Sequence, residues 1–183
     1  MIPKPKKYSY QEFLEITKDK RAEFINGEIY LWASPSTEHQ RTVGRLFAKF
    51  SSFFSGQDCE PFVAPYDVVF ENEETGEKHV VQPDITIICD KTKLTKDNYR
   101  GVPKLIIEVL SPSNASHDYI RKMDLYARFG VEEYWIASPK SKTIQVFVLQ
   151  DGIYFEYATF SKDDIVKSYY FKDIEIKLNE IYE

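Results

Sequence analysis

Cysteine is scarce in this chain: two in 183 residues, Cys59 and Cys89. Two are too few for a disulfide framework, and their spacing matches no zinc site. Each is expected to be a small buried apolar side chain in a reducing compartment, and a cytoplasmic location follows as the expectation. No run approaches the ~18 consecutive apolar residues of a membrane span. The N-terminal Met1-Ile-Pro-Lys-Pro-Lys-Lys has no apolar stretch behind its positive charges, so no secretory leader is expected. An excess of basic residues is lacking too: 24 Lys and Arg face 29 Asp and Glu, a net charge of −5. That balance excludes a protein that coats nucleic acid through a broad basic surface, but not an enzyme with a local groove around an acidic centre. There is no Gly-rich phosphate loop, no His-Glu-x-x-His and no Gly-x-Ser-x-Gly, which removes three common chemistries. Internal repeats, low-complexity tracts and linkers are absent as well.

What is present is the composition of a folded protein: 43% hydrophobic and 29% charged, with thirteen Tyr and thirteen Phe. A single domain over residues 1–183 with a full core is the simplest partition. Ser9, with Glu12 three residues on, predicts a capped helix. Asn26-Gly27 between alternating apolar residues predicts a tight hairpin, with Glu23 just before its turn. From Ser36 to Phe54 the spacing is helical, with Val43, Leu46, Phe47, Phe50, Phe53 and Phe54 on one stripe. His39 falls within that stripe and has two readings: a core histidine bonded to a backbone carbonyl, or a side chain projecting into a site at the start of the helix. Residues 60–70 read as a strand broken at Pro61 and Pro65. Residues 80–89 read as one strand, and residues 104–110 as a strand covered on both faces. A third helix ends at Gly130, with Tyr119, Ile120, Met123, Tyr126 and Ala127 as its apolar stripe and Lys122 on the rim. Further strands follow to the C-terminus. His79 and His117 are expected to be exposed.

Two acids, Asp84 and Glu108, sit in segments that otherwise call for burial. On neighbouring buried strands they would repel and each would lose hydration. A bound divalent cation removes both costs. Hard cations such as Mg²⁺ take one or two carboxylates, carbonyl oxygens and waters, so Asp84, Glu108 and the Val109 carbonyl would form such a set if the strands pair in register. The Lys122 side chain could then orient or, as the neutral amine, deprotonate a water, or as the ammonium stabilise charge developing on a phosphoryl group. Each residue also has a structural reading, since acids at strand ends cap helices or pair with arginine.

The order Glu23…Asn26-Gly27, Ser34-Pro35…His39, Gln82-Pro83-Asp84, Glu108-Val-Leu-Ser-Pro112, Asp118…Lys122…Tyr126 and Gly130-Val-Glu-Glu-Tyr-Trp135 resembles the Uma2 family, from about residue 10 to about residue 147. That family is grouped with the restriction-endonuclease-like, or PD-(D/E)XK nuclease-like, superfamily. The resemblance implies an α/β fold with an αβββαβ core, a mixed β-sheet flanked by helices, and a metal site formed by Asp84 and Glu108. The superfamily's usual lysine, two residues after the acid on the same strand, is replaced here by Leu110. The resemblance points to Lys122 as its substitute, with Glu23 and His39 completing the site.

The leading expectation is therefore a Mg²⁺- or Mn²⁺-dependent endonuclease acting on DNA. In it Asp84, Glu108 and Lys122 are catalytic, Asp84, Glu108 and Val109 ligate the metal, and Glu23, His39 and Tyr126 support. Tyr126 is expected to hold Lys122 or a phosphate. The alternative is a nuclease-fold module without activity that binds nucleic acid or a protein partner. A homodimer or higher homo-oligomer, paired through sheet-edge strands after Thr143, is compatible with either.

Overall fold

Ser9 and Glu12 form the capping box that their spacing predicts. The Ser9 hydroxyl accepts from the Glu12 N–H, and the Glu12 carboxylate accepts from the Ser9 N–H at 2.7 Å. Asn26 and Gly27 both take positive φ, 51° and 76°, as a two-residue hairpin turn requires. The structure is a computed structural model that describes residues 6–18, 20–32, 34–111 and 117–182, except for the side chains of 117–119.

In chain order the elements are α1 (Tyr10–Ile16), β1 (Ala22–Ile25), β2 (Glu28–Leu31), α2 (Thr37–Phe53), β3 (Glu60–Val63), β4 (Asp67–Glu71), β5 (Lys78–Val81) and β6 (Ile85–Ile88). They continue with β7 (Asn98–Tyr99), β8 (Leu105–Val109), α3 (His117–Phe129), β9 (Glu133–Ser138), β10 (Thr143–Gln150) and β11 (Ile153–Phe160). The short ribbon of β12 (Ile165–Lys167) and β13 (Glu175–Lys177) closes the chain. One sheet has the order β11-β10-β9-β8-β6-β3, and a second has the order β2-β1-β5-β4-β7. The first is mixed, because β8 and β9 run parallel while its other pairs are antiparallel. Read along the chain, α2-β3-β6-β8-α3-β9 is the expected αβββαβ order, with β10 and β11 added after it.

The second sheet departs from the sequence reading. The segments at 60–70 and 80–89 are not single strands. Each crosses between sheets: β3 and β6 belong to the first, β4 and β5 to the second. The crossings fall at Ala64-Pro65-Tyr66 and Gln82-Pro83-Asp84. Proline cannot donate to a ladder, so each segment leaves one sheet where its pairing is already interrupted.

Three apolar clusters hold these layers. The α2 stripe of Val43, Leu46, Phe50 and Phe54 packs on Ile85, Ile87, Leu105, Ile107 and Trp135 of the first sheet. The other face of that sheet, with Ile88, Ile106 and Tyr134, meets Leu125 and Tyr126 of α3 and Ile25, Val68, Phe70 and Val81 of the second sheet. Phe13 of α1 covers the remaining face with Phe24, Val69 and Val80. Glu133 is fully buried and tethers the C-terminal segment. It accepts from Trp135 Nε1 (2.6 Å), Ser168 Oγ (2.8 Å) and the Tyr169 and Tyr170 N–H groups. The edge strand β11 leaves Ile153, Phe155 and Tyr157 exposed.

Three sequence expectations fail on burial or bonding. Ile120 is 64% exposed and the buried face of α3 is Lys122, Leu125 and Tyr126, a rotation of the expected stripe caused by what this face meets. His79 is fully buried rather than exposed: its Nδ1 accepts from the Asn26 N–H at 3.2 Å and its Nε2 faces Glu77 Oε1 at 2.8 Å. Burial holds its pKa below the ordinary value, so the neutral ring is a fixed tie between the hairpin turn and β5. Cys59 and Cys89 are joined in a disulfide, not left as separate thiols. The register Glu60↔Ile88 makes them the next opposing pair across β3 and β6, with Cα atoms 4.0 Å apart. Unpaired thiols therefore cannot support the expected compartment. No helix among the described residues is long and apolar enough to cross a membrane.

The disulfide closes a loop with a sequence separation of 30, for which chain entropy gives about 3–4 kcal/mol of stabilisation. Urea unfolding with and without reductant is expected to differ by roughly that amount. Equal midpoints would mean that the bridge does not restrain the unfolded chain.

Candidate active site

The crossing at Gln82-Pro83-Asp84 puts Asp84 one residue ahead of β6. The register Ile85↔Ile107 and Thr86↔Ile106 continues to set Asp84 opposite Glu108. The strands thus pair in the register that the two acids require to face each other. Asp84 Oδ2 accepts from the Val109 N–H at 2.8 Å and lies 3.2 Å from His39 Nε2. Glu108 Oε1 accepts from Lys122 Nζ at 3.0 Å and from the Tyr126 hydroxyl at 2.7 Å. Lys122 Nζ also lies 2.9 Å from Glu23 Oε1, and that oxygen accepts from the Gln82 N–H at 2.9 Å.

All six expected side chains therefore meet in one cluster. Glu23 comes from β1, His39 from the first turn of α2, Asp84 from the crossing, Glu108 from β8, and Lys122 and Tyr126 from α3. Two details differ from expectation. Lys122 is 3% exposed, so it is buried in the cluster and not on a rim; carboxylates on two sides supply what lost hydration would otherwise cost. Tyr126 bonds Glu108 and not Lys122, with its pKa raised by burial and then by Glu108, so the phenol stays a donor. His39 takes the second of its two readings and faces Asp84; its Nδ1 is buried with no hydrogen-bond partner among the described residues. The turn at 112–116 and the side chains of His117, Asp118 and Tyr119 lie outside the described residues.

Charge is the main feature of this cluster. Three buried carboxylates face one ammonium and one imidazole. Burial pushes the Glu108 carboxyl up to about 8, opposed by Lys122 and reinforced by Asp84 and Glu23. Glu108 thus holds its proton well above the ordinary carboxylate range. Among the described residues, no group of three or more His, Cys, Asp or Glu side chains is arranged to hold a metal. The donors that do converge are hard oxygens: two carboxylates, with Asp84 Oδ1 and Glu108 Oε2 carrying no hydrogen bond among the described residues. One or two carboxylates with waters is the normal protein share of a Mg²⁺ site. Once Glu108 is ionised, three carboxylates outnumber the one ammonium, and that excess is what a cation would neutralise.

A cleft of about 510 Å³ opens beside Asp84, lined by His39, Ala64, Pro65 and Gln82 among others. Its walls are the two crossings and the start of α2.

The family model of Uma2, described as "Putative restriction endonuclease", matches residues 10–179. The chain belongs to the Uma2 family. Among curated proteins this Uma2 chain is 28% identical over 151 residues to the uncharacterized protein slr1290 of Synechocystis, covering 82% of this chain and 77% of that protein. It is 30% identical over 109 residues to the uncharacterized protein sll1609 of the same organism, 58% and 59% of the two chains. Its fold is that of a crystal structure from Anabaena variabilis titled "a putative nuclease belonging to DUF820", with a TM-score of 0.77 and 18% identity over 97% of this chain and 98% of that one.

Sequence reading of this Uma2 member missed three residues. Gln82 joins Glu23 through its backbone and Asp67 through its side chain, Nε2 to Oδ1 at 2.7 Å. Arg21 and Trp32 line the cleft. Gln82 had a signal in its place beside Pro83-Asp84. Arg21 and Trp32 had only alternation on the hairpin.

The folded Glu108 carboxyl keeps its proton to about pH 8 against an ordinary value of 4.5. Between those values the folded state binds the extra proton, so stability falls as pH rises through this window. Unfolding measured in metal-free buffer from pH 5 to pH 9 is expected to show that decline in the wild type, and a flatter profile in Glu108→Gln. Parallel profiles would place the retained proton elsewhere.

Proposed function

We propose that this protein is a Mg²⁺- or Mn²⁺-dependent endonuclease that hydrolyses phosphodiester bonds in DNA. The observation that supports the reading most is the convergence of Asp84 and Glu108 across paired strands with Lys122 Nζ 3.0 Å from Glu108. Asp84, Glu108 and the Val109 carbonyl would hold the cation. When bound, the cation would polarise a phosphoryl oxygen and make water a stronger nucleophile at neutral pH.

The chain's own groups have distinct roles in this reading. Asp84 is fixed by the Val109 N–H and by His39, which hold its carboxylate in one orientation. Glu108 would release its proton as a cation binds, so binding is expected to tighten with rising pH. Lys122, held between Glu23 and Glu108, is a fixed positive charge beside the carboxylates. There it would orient the attacking water and stabilise the charge that develops on the phosphoryl group. Because it comes from α3 and still reaches Glu108, the Leu110 position needs no lysine. Tyr126 restricts Glu108 Oε1, and Glu23 holds Lys122 in place.

Purified protein is expected to cleave DNA only with Mg²⁺ or Mn²⁺. Asp84→Asn and Glu108→Gln should each lower the rate by roughly a hundredfold or more, with circular dichroism unchanged. Cleavage that persists in excess chelator, or in both variants, would sink the proposal. Nucleic-acid or protein binding that survives Glu108→Gln and needs no divalent ion, without turnover, would favour the inactive-module alternative.

A further inference from the structure

One wall of the cleft has no role in the carboxylate and lysine chemistry. Trp32, just after β2, is half-buried and lines the cleft. Lys122 Nζ lies 5.2 Å from its ring centroid, so the indole stands one side chain away from the reacting centre. The Trp32 N–H donates to the Arg21 carbonyl at 3.1 Å, which pairs the two residues at the open end of the hairpin. Arg21 is exposed and lines the same cleft, as do Gln40 and Gln82.

Size and charge select the ligand. About 510 Å³ is the scale of a pocket for a small molecule or a short piece of polymer, not of a channel that admits a whole double helix. Proteins that track a duplex draw affinity from several Lys and Arg contacts to phosphate. Among the described residues lining this cleft, Arg21 is the one permanently cationic side chain. Proteins that bind unpaired strands instead rely on aromatic faces on which bases stack, whatever the sequence.

We propose that Trp32 is a stacking platform for an unpaired base and that Arg21 takes a neighbouring phosphate, so that the strand delivered to Asp84 and Glu108 is single-stranded. This deepens the nuclease reading and rests on it for the substrate class. Trp32 and Arg21 are then binding and specificity residues, one step removed from the groups that touch the scissile phosphate. The Gln40 amide lines the same cleft and could meet base edges or sugar without selecting one base, while the Gln82 amide is held by Asp67.

The two tryptophans make the test direct, because Trp135 is fully buried in the core and Trp32 is not. A short fluorescein-labelled oligo(dT) and its duplex with oligo(dA) would be titrated against the full chain in Ca²⁺, following anisotropy of the label and intrinsic tryptophan fluorescence with unlabelled strands. The single strand is expected to bind more tightly than the duplex and to quench Trp32. Trp32→Ala should weaken single-strand binding roughly five- to hundredfold, and Trp32→Phe should retain most of it. Trp32→Leu keeps an apolar cover over Lys122 without an aromatic face, so it should behave like the alanine variant even if the latter folds poorly. Duplex binding as tight as single-strand binding, or Trp32→Leu binding oligo(dT) like the wild type, would overturn the proposal. Incubating the same oligonucleotides with Mg²⁺ or Mn²⁺ separates the two readings. Trp32-dependent binding without cleavage removes the nuclease and leaves the platform. Cleavage with single-strand binding indifferent to Trp32→Leu removes the platform and leaves the nuclease.

Discussion

The Lys122 ammonium joins α3 to both sheets of this protein. It belongs to α3, contacts Glu23 on β1 of the second sheet, and contacts Glu108 on β8 of the first. Both carboxylates are buried, and a buried ion loses several kcal/mol of hydration unless its partners replace what water gave. Removing the lysine would leave two buried carboxyl groups facing each other across the seam between the sheets, with no cation to favour their ionisation. The arrangement is therefore structural and chemical at once. Beside the apolar cluster that packs the sheets together, these contacts bridge the same seam and hold a positive charge beside a proposed phosphate site.

The seam itself arises from two proline-bearing crossings. At 64–66 and at 82–84 the chain passes between the sheets, and both crossings border the same cleft. They are tied to each other, since the Ala64 N–H donates to the Asp84 carbonyl at 3.1 Å. The bridge from Cys59 to Cys89 lies at the far end of the same β3–β6 pair. That pair is thus pinned at one end by a covalent bond and at the other by a hydrogen bond to the residue that bears the key carboxylate. A short edge strand of four residues would otherwise be the weakest wall of the cleft.

Local chemistry was readable from the sequence wherever the cause was local. Ser9 with Glu12, Asn26-Gly27 and Gly130 each act within a few residues, and each forms the predicted cap or turn. The acids were conspicuous for a different reason: Asp84 and Glu108 contradict the apolar segments around them. The two crossings were not legible, because a broken strand and a strand that changes sheets carry the same prolines. The Cys59–Cys89 bond depends on a strand register that no spacing of 30 residues encodes. His79 and Lys122 were misplaced because polarity predicts exposure only when no buried partner exists, and the partners that decide their burial, Asn26 in one case and Glu23 and Glu108 in the other, come from other segments of the chain.

In the proposed reading, the position of Lys122 explains how the strand pattern can change without losing the charge. On β8 the residues facing the second sheet are Ile106 and Glu108, with half-buried Leu110 beyond them. Leu110 packs against that same apolar cluster, where an ammonium would have to find a further carboxylate. Lys122 instead approaches Glu108 from α3, with Glu23 already present to share it. The cost of relocation is a second buried acid on β1, and that acid also accepts the Gln82 N–H freed where the chain leaves β5. One carboxylate thus satisfies both Lys122 and the interrupted strand, which ties Glu23 to the proposed site as closely as the two acids the sequence exposes first.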